Sequence, residues 1–237
     1  LWGQKIIHVA NVEFYSLSFA TLLYCLFMKF TPSHPLMVCP APLAEQPKLD
    51  LAAPADYSQR KDLVAHVESV LQASAHGFAW GGYLEQRKIY LESDHFFQAG
   101  SPRDIHLGID IWTDAGSPVF APLDGKIHSF EDNAGFCNYG PTLILEHHFG
   151  ETFYTLYGHL SRSSIDGLQV GAWVKKGQPL CTLGAWEVNG NWPPHLHFQV
   201  IRDLEGWTGD YPGACTFEEK EKFAKNCPDP IGFLQTT

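Results

Sequence analysis

The sequence predicts a mainly β protein, an antiparallel β domain with peripheral helices. Three observations carry this. From about residue 105 onward, short apolar runs are separated by Gly, Pro and Asn. Within the runs polar and apolar residues alternate, most strictly in His195-Leu-His197-Phe-Gln199-Val200. Finally, 45% of the 237 residues are hydrophobic and only 18% charged, which suffices for a sizeable core and excludes a disordered chain.

Taken in order, residues 1–36 form a hydrophobic N-terminal segment. Its uncharged run, Phe14 to Met28, lies between Glu13 and Lys29. That is shorter than the roughly 18 apolar residues a spanning helix needs and closer to a signal-peptide core, so no stable membrane span is expected. Two readings of this segment stay open. A true signal makes the protein secreted or periplasmic; translation from Met37 leaves it cytoplasmic and removes the segment. Residues 37–56 are rich in Pro and Ala and read as a linker. Residues 57–79 hold an amphipathic helix, because Leu63, Val64, Val67, Val70 and Leu71 recur at i, i+1, i+4, i+7 and i+8. Asp56 or Ser58 would cap it and Gly77 would stop it. This helix could support folding, occlude a groove or wall a substrate site.

The β domain is expected over 80–237, with strands at 107–112, 118–121, 125–130, 142–148, 152–157, 180–183 and 195–201. Val174 to Pro179 reads as a hairpin turn. Thr216-Phe-Glu-Glu219 is a capping box opening a short helix through Lys225, which Pro228 and Pro230 stop. Six cysteines without a CxxC pair speak against a thiolate zinc site and favour free thiols over disulfides. A formal charge of −10 excludes a nucleic-acid partner and gives no attraction to an anionic polymer.

The chain has 12 histidines, and two short arrangements of them stand out. In His106-Leu-Gly-Ile-Asp110, the spacing of four on an extended strand puts both polar side chains on one face, with Leu107, Ile109 and Ile111 on the other. Gly108 would leave the metal side open. In the second, His195, His197 and Gln199 share a polar face above an apolar one. A single such histidine is more often a hydrogen-bonded core residue than a ligand. Both arrangements together, in a β domain, point to Zn²⁺ held by imidazole and carboxylate, in a catalytic rather than structural site. His147-His148 point to opposite faces and His128 falls within a strand, so these read as structural. Trp186 and Trp192 flank the second arrangement and line a groove or pack on the sheet.

These residues resemble the M23, or lysostaphin/LytM-type, zinc metallopeptidases. The shared stretches are His106 to Asp110, Gly116 to Gly125, Tyr154-Thr-Leu-Tyr-Gly-His159-Leu-Ser161, Val170 to Gly177 and Pro194-His195-Leu-His197-Phe198, over roughly 105–201. Asn189 to Gln199 and Gly209-Asp-Tyr-Pro-Gly213 are similar to the branch of this family found fused to class III aminotransferases. The resemblance implies the family's antiparallel β-sheet groove, of the duplicated-hybrid-motif type. It implies His106, Asp110 and His197 as zinc ligands and His159 and His195 as catalytic histidines. With no HExxH glutamate, a histidine would serve as base, and which of the two stays open.

The resemblance further implies a monomeric endopeptidase that hydrolyses peptidoglycan stem peptides or cross-bridges. Two alternatives accompany it: a zinc amide hydrolase acting on soluble peptides or a small amino metabolite, and a non-catalytic wall-binding or activator module.

Overall fold

A computed structural model describes residues 45–52 and 60–233. The readings on residues 1–44, including Cys25, Cys39 and Met37, and on the caps Asp56 and Ser58, lie outside the described residues. Among the described residues, thirteen strands follow one another as β1 (Ala79–Gly81), β2 (Phe97–Gln98), β3 (Ser101–Pro102), β4 (Ile105–His106), β5 (Ile109–Trp112), β6 (Pro118–Phe120), β7 (Gly125–Asn133), β8 (Gly140–Phe149), β9 (Glu151–Gly158), β10 (Trp173–Val174), β11 (Pro179–Thr182), β12 (His195–Ile201) and β13 (Ala214–Cys215). Among the described residues two α-helices, α1 (Arg60–Ala73) and α2 (Lys220–Asn226), lie outside this framework. Seven strands make one antiparallel sheet in the order β1-β5-β12-β9-β8-β7-β10. The fold is therefore mainly β, as the alternation predicts. Among the described residues no helix is long and apolar enough to cross a membrane.

Alternation along the strands divides the core. Ile109, Ile111, Leu143, Leu145, Tyr157, Leu196, Phe198 and Val200 pack on one face. Ile144, Leu156 and Ile201 face the other way, against Leu204, Tyr211 and Phe223 of the C-terminal segment. A third cluster joins Leu49 and Leu51 to Leu63 and Val67 of α1, and to Tyr90, Phe96, Trp112 and Trp192. The odd-numbered side chains of β12, from His195 to Gln199, lie on the face between these last two clusters, so the polar stripe is buried.

The structure corrects two details. The strand expected at 107–112 is broken at Leu107–Gly108. Ile105 and His106 pair with β13, whereas β5 pairs with β1 and β12. Leu107 donates its N–H to Gly213 O, and its side chain joins a different cluster from Ile109 and Ile111. Likewise, Val174 to Pro179 does not fold a hairpin. It carries the chain from β10, on the β7 edge, to β11, which pairs with β6. Asp124 holds this turn by accepting from the Lys176 N–H at 2.8 Å and Lys175 Nζ at 3.3 Å. The capping box forms as the sequence predicts, with Glu219 N–H donating to Thr216 Oγ1 at 3.3 Å and Thr216 Oγ1 to Glu219 Oε2 at 3.1 Å. Cys137, Cys181, Cys215 and Cys227 are buried free thiols.

Candidate metal centre

Cross-strand register builds the site. On β12 and β5, His197 stands opposite Asp110 and His195 opposite Trp112. His106 arrives from β4, beyond the break, rather than along one continuous strand. Gly108 sits between His106 and Asp110 because a side chain there has no room. A Cβ would fall 2.6 Å from Phe198 O and 2.8 Å from the His197 ring.

The nitrogen not needed for a ligand is used in each imidazole. His106 Nδ1 donates to Gly82 O at 2.7 Å, and His197 Nε2 to Gln199 Oε1 at 2.9 Å. Their remaining nitrogens, His106 Nε2 and His197 Nδ1, therefore present lone pairs to each other at 2.9 Å. Asp110 Oδ1 completes the triangle at 3.3 Å from both. It is buried and has no hydrogen-bond partner. Three lone-pair donors turned toward one point, without a proton among them, are unfavourable unless a cation lies there. The separations also suit one: tetrahedral ligands at 2.0–2.1 Å from Zn²⁺ stand about 3.3 Å apart. Two neutral imidazoles and one carboxylate match zinc in charge and hardness. The residues present thus fit the ion.

Arg87 holds the second oxygen. Its Nη1 donates to Asp110 Oδ2 at 2.5 Å and to Tyr90 Oη at 3.0 Å, while its Nε pairs with Glu85 at 2.7 Å. Burial alone would raise the Asp110 carboxyl, but His106 and Arg87 outweigh it and hold the group well below the usual carboxylate range. Burial, with Arg87 adding to it, pushes His106 down to about 3.

His159 and His195 lie beside this triangle with ring centroids 4.2 Å apart. His159 Nδ1 donates to Asn189 O at 2.9 Å and His195 Nδ1 to Pro193 O at 2.7 Å. Both Nε2 atoms are thereby left as acceptors, and His195 Nε2 is 3.8 Å from Asp110 Oδ1. Burial lowers both imidazoles; His195 and His197 lower His159 further, while Asp110 partly offsets the effect on His195. His159 takes φ +63°, an uncommon conformation outside glycine, held by its N–H to Tyr139 O at 2.9 Å and by Gly184 N–H to its own carbonyl at 2.8 Å. Trp112 stacks on His195 and Tyr139 tilts against His159 and His197.

All five residues singled out by sequence thus meet in one place. His128 and His147 do not join them. His128 contacts Ser129 and Tyr154. His147 is buried between Asp124 O and Thr155 Oγ1 while His148 is exposed, so the pair faces opposite ways. Sequence reasoning missed Arg87 and Tyr139, which sit in irregular segments, and Tyr90, in the short 3-10 helix Lys88–Glu92; none carries a local pattern. Asn189 lay in a stretch already noted; its side chain accepts from Trp192 N–H at 3.0 Å and donates to Trp192 O at 3.0 Å, bracing the loop whose carbonyls hold both histidines. Asp110, His159, His195 and His197 line a cavity that opens to solvent, with Trp192 and Trp112 beside them. Trp186, by contrast, is partly exposed near Arg60.

Comparison with known proteins agrees with this geometry. The family described as Peptidase family M23 matches residues 104–208. An uncharacterized metalloprotease of Haemophilus influenzae is 34% identical over 94 residues, covering 40% of this chain and 18% of that protein. The peptidoglycan DD-endopeptidase ShyB of Vibrio cholerae is 31% identical over 121 residues, covering 49% of this chain and 26% of its own length. The chain therefore spans about a quarter or less of these relatives. The catalytic domain of the antimicrobial peptidase lysostaphin from Staphylococcus simulans aligns at 27% identity over 59% of this chain and 86% of that one, with a TM-score of 0.40. The segment matched to peptidase family M23, residues 104–208, carries all five polar residues of the site.

Proposed function

We propose that this chain is a zinc metalloendopeptidase, with residues 80–237 as its peptidase domain, and that its substrate is a peptide bond in peptidoglycan stem peptides or cross-bridges. The observation that supports it most is the convergence of His106 Nε2, Asp110 Oδ1 and His197 Nδ1 with all three lone pairs unpartnered by protons. These three would hold the ion. When bound, zinc supplies a Lewis acid that brings the pKa of water to about 7 and polarises a scissile carbonyl.

The chain's own groups would do the rest. The Nε2 of His159 or His195 takes a proton from the attacking water, since the Nδ1–H of each is committed to a carbonyl. That histidine then carries an Nε2–H⁺, which can hydrogen-bond the oxyanion and pass its proton to the leaving amine. Neutral imidazoles in a buried site are ready for this at neutral pH. The substrate class is supported by the relative named as a peptidoglycan DD-endopeptidase, 31% identical over 121 residues.

The test is incubation of the zinc-loaded chain with purified peptidoglycan and with soluble peptides, products being read by mass spectrometry. Wall fragments are expected, and His159→Ala and His195→Ala should each lower the rate by roughly 100-fold or more. No cleavage by protein shown to hold one zinc would overturn the reading. A second reading is hydrolysis of soluble peptides or a small amide in the same cavity, where Trp112 and Trp192 offer aromatic walls to a small substrate. Cleavage confined to soluble substrates would select it.

A further inference from the structure

The cavity has a second wall, formed by residues that precede the segment matched to the family. Tyr90 and Phe96 stack with ring centroids 4.0 Å apart, and His95 and Arg103 lie beside them on the cavity lining. Arg103 follows the β2–β3 hairpin, whose turn residues Ala99 and Gly100 take φ +50° and +86°. Its N–H donates to Phe96 O at 2.6 Å and its Nη2 to His95 O, so the side chain is tied to this wall.

Two guanidinium groups line the cavity, and they differ in how their charge is met. Arg87 is taken up by Asp110 and Glu85 at 2.5 and 2.7 Å. Arg103 makes no ion pair among the described residues. Its field still reaches its neighbours. Burial lowers His95 and Arg103 adds to it, while at Asp210 Arg103 partly offsets the upward push of burial. A half-buried guanidinium beside aromatic rings, on the wall of a reaction cavity, lacks only an anion. Its planar fork suits a carboxylate above other anions that a peptide carries.

We infer that Arg103 is a specificity-determining residue that binds a carboxylate of the peptide substrate. The carboxylate could be the C-terminal group or an acidic side chain. The inference rests on the peptidase reading for the bond that reacts, but its binding part can be measured without turnover.

The experiment uses the zinc-loaded full chain and three fluorescein-labelled pentapeptides of glycine and D-alanine. One is amidated at its C-terminus, one ends in a free carboxylate, and one is amidated but carries a central D-glutamate. Fluorescence anisotropy should give tighter binding, by roughly 10- to 100-fold, for a carboxylate peptide than for the neutral one. Which of the two binds names the source. Arg103→Gln should abolish the preference and Arg103→Lys should keep part of it, both with wild-type zinc content. Should Arg103→Gln fail to fold, Arg103→Lys carries the test through its reduced preference. Equal binding of all three peptides by wild type, binding of none, or an undiminished preference in the variants would overturn the inference. A preserved preference without hydrolysis of any substrate would instead strike the peptidase reading alone.

Discussion

Asp110 is only 2% exposed, and its charge is kept there by the Arg87 guanidinium at 2.5 Å. Removing one member of a buried pair leaves the other uncompensated, at a cost of about 3–5 kcal/mol. Arg87→Ala should therefore destabilise the protein by that order in denaturant melts. Because Arg87 also fixes which oxygen faces the histidines, zinc affinity in a chelator competition should fall roughly 10- to 100-fold. Unchanged affinity would mean that Asp110 is oriented by its strand alone. His147 permits a separate test away from the metal. Burial lowers it from 6.5 to about 4, so the folded state keeps it neutral. The unfolded chain binds a proton first as pH falls. Stability is thus full above about 6.5 and declines toward pH 4, by on the order of 3 kcal/mol from this group. His147→Gln should flatten that decline relative to wild type; an identical pH profile in the two proteins would discount this role.

At the level of elements, β12 was legible because its strict alternation predicts one polar and one apolar face, and the chain obeys it from His195 to Val200. The break between β4 and β5 was not. His106 and Asp110 reach the same place, yet His106 pairs with Ala214 over a hundred residues later, and no local pattern encodes a partner so distant. Gly108 is where the two effects meet. Gly108→Ala would set a Cβ 2.6 Å from Phe198 O and 2.8 Å from the His197 ring. Displacing that ring should cost about 1–3 kcal/mol of stability and reduce bound zinc below one per chain. Calorimetry with metal analysis reads both, and a variant that melts like wild type with full zinc would contradict the packing argument.

For the whole molecule, the three residues proposed to hold zinc come from β4, β5 and β12, so a bound ion would tie together strands of two sheets. Stripping zinc with a chelator should lower the unfolding midpoint, and readdition should restore it. At free zinc about 1,000-fold above the dissociation constant the gain is about 4 kcal/mol. A midpoint indifferent to zinc would show that the three ligand atoms are not joined by the ion. The mainly β character and the five polar residues are readable along the chain, because alternation and short motifs are local properties. Folding alone brings Arg87 against Asp110, lets the carbonyls of Gly82, Asn189 and Pro193 set the tautomers, and puts Arg103 on the cavity wall. These depend on loops brought together across the sheet, where a backbone carbonyl has the same chemistry in every residue and only its position gives it a role.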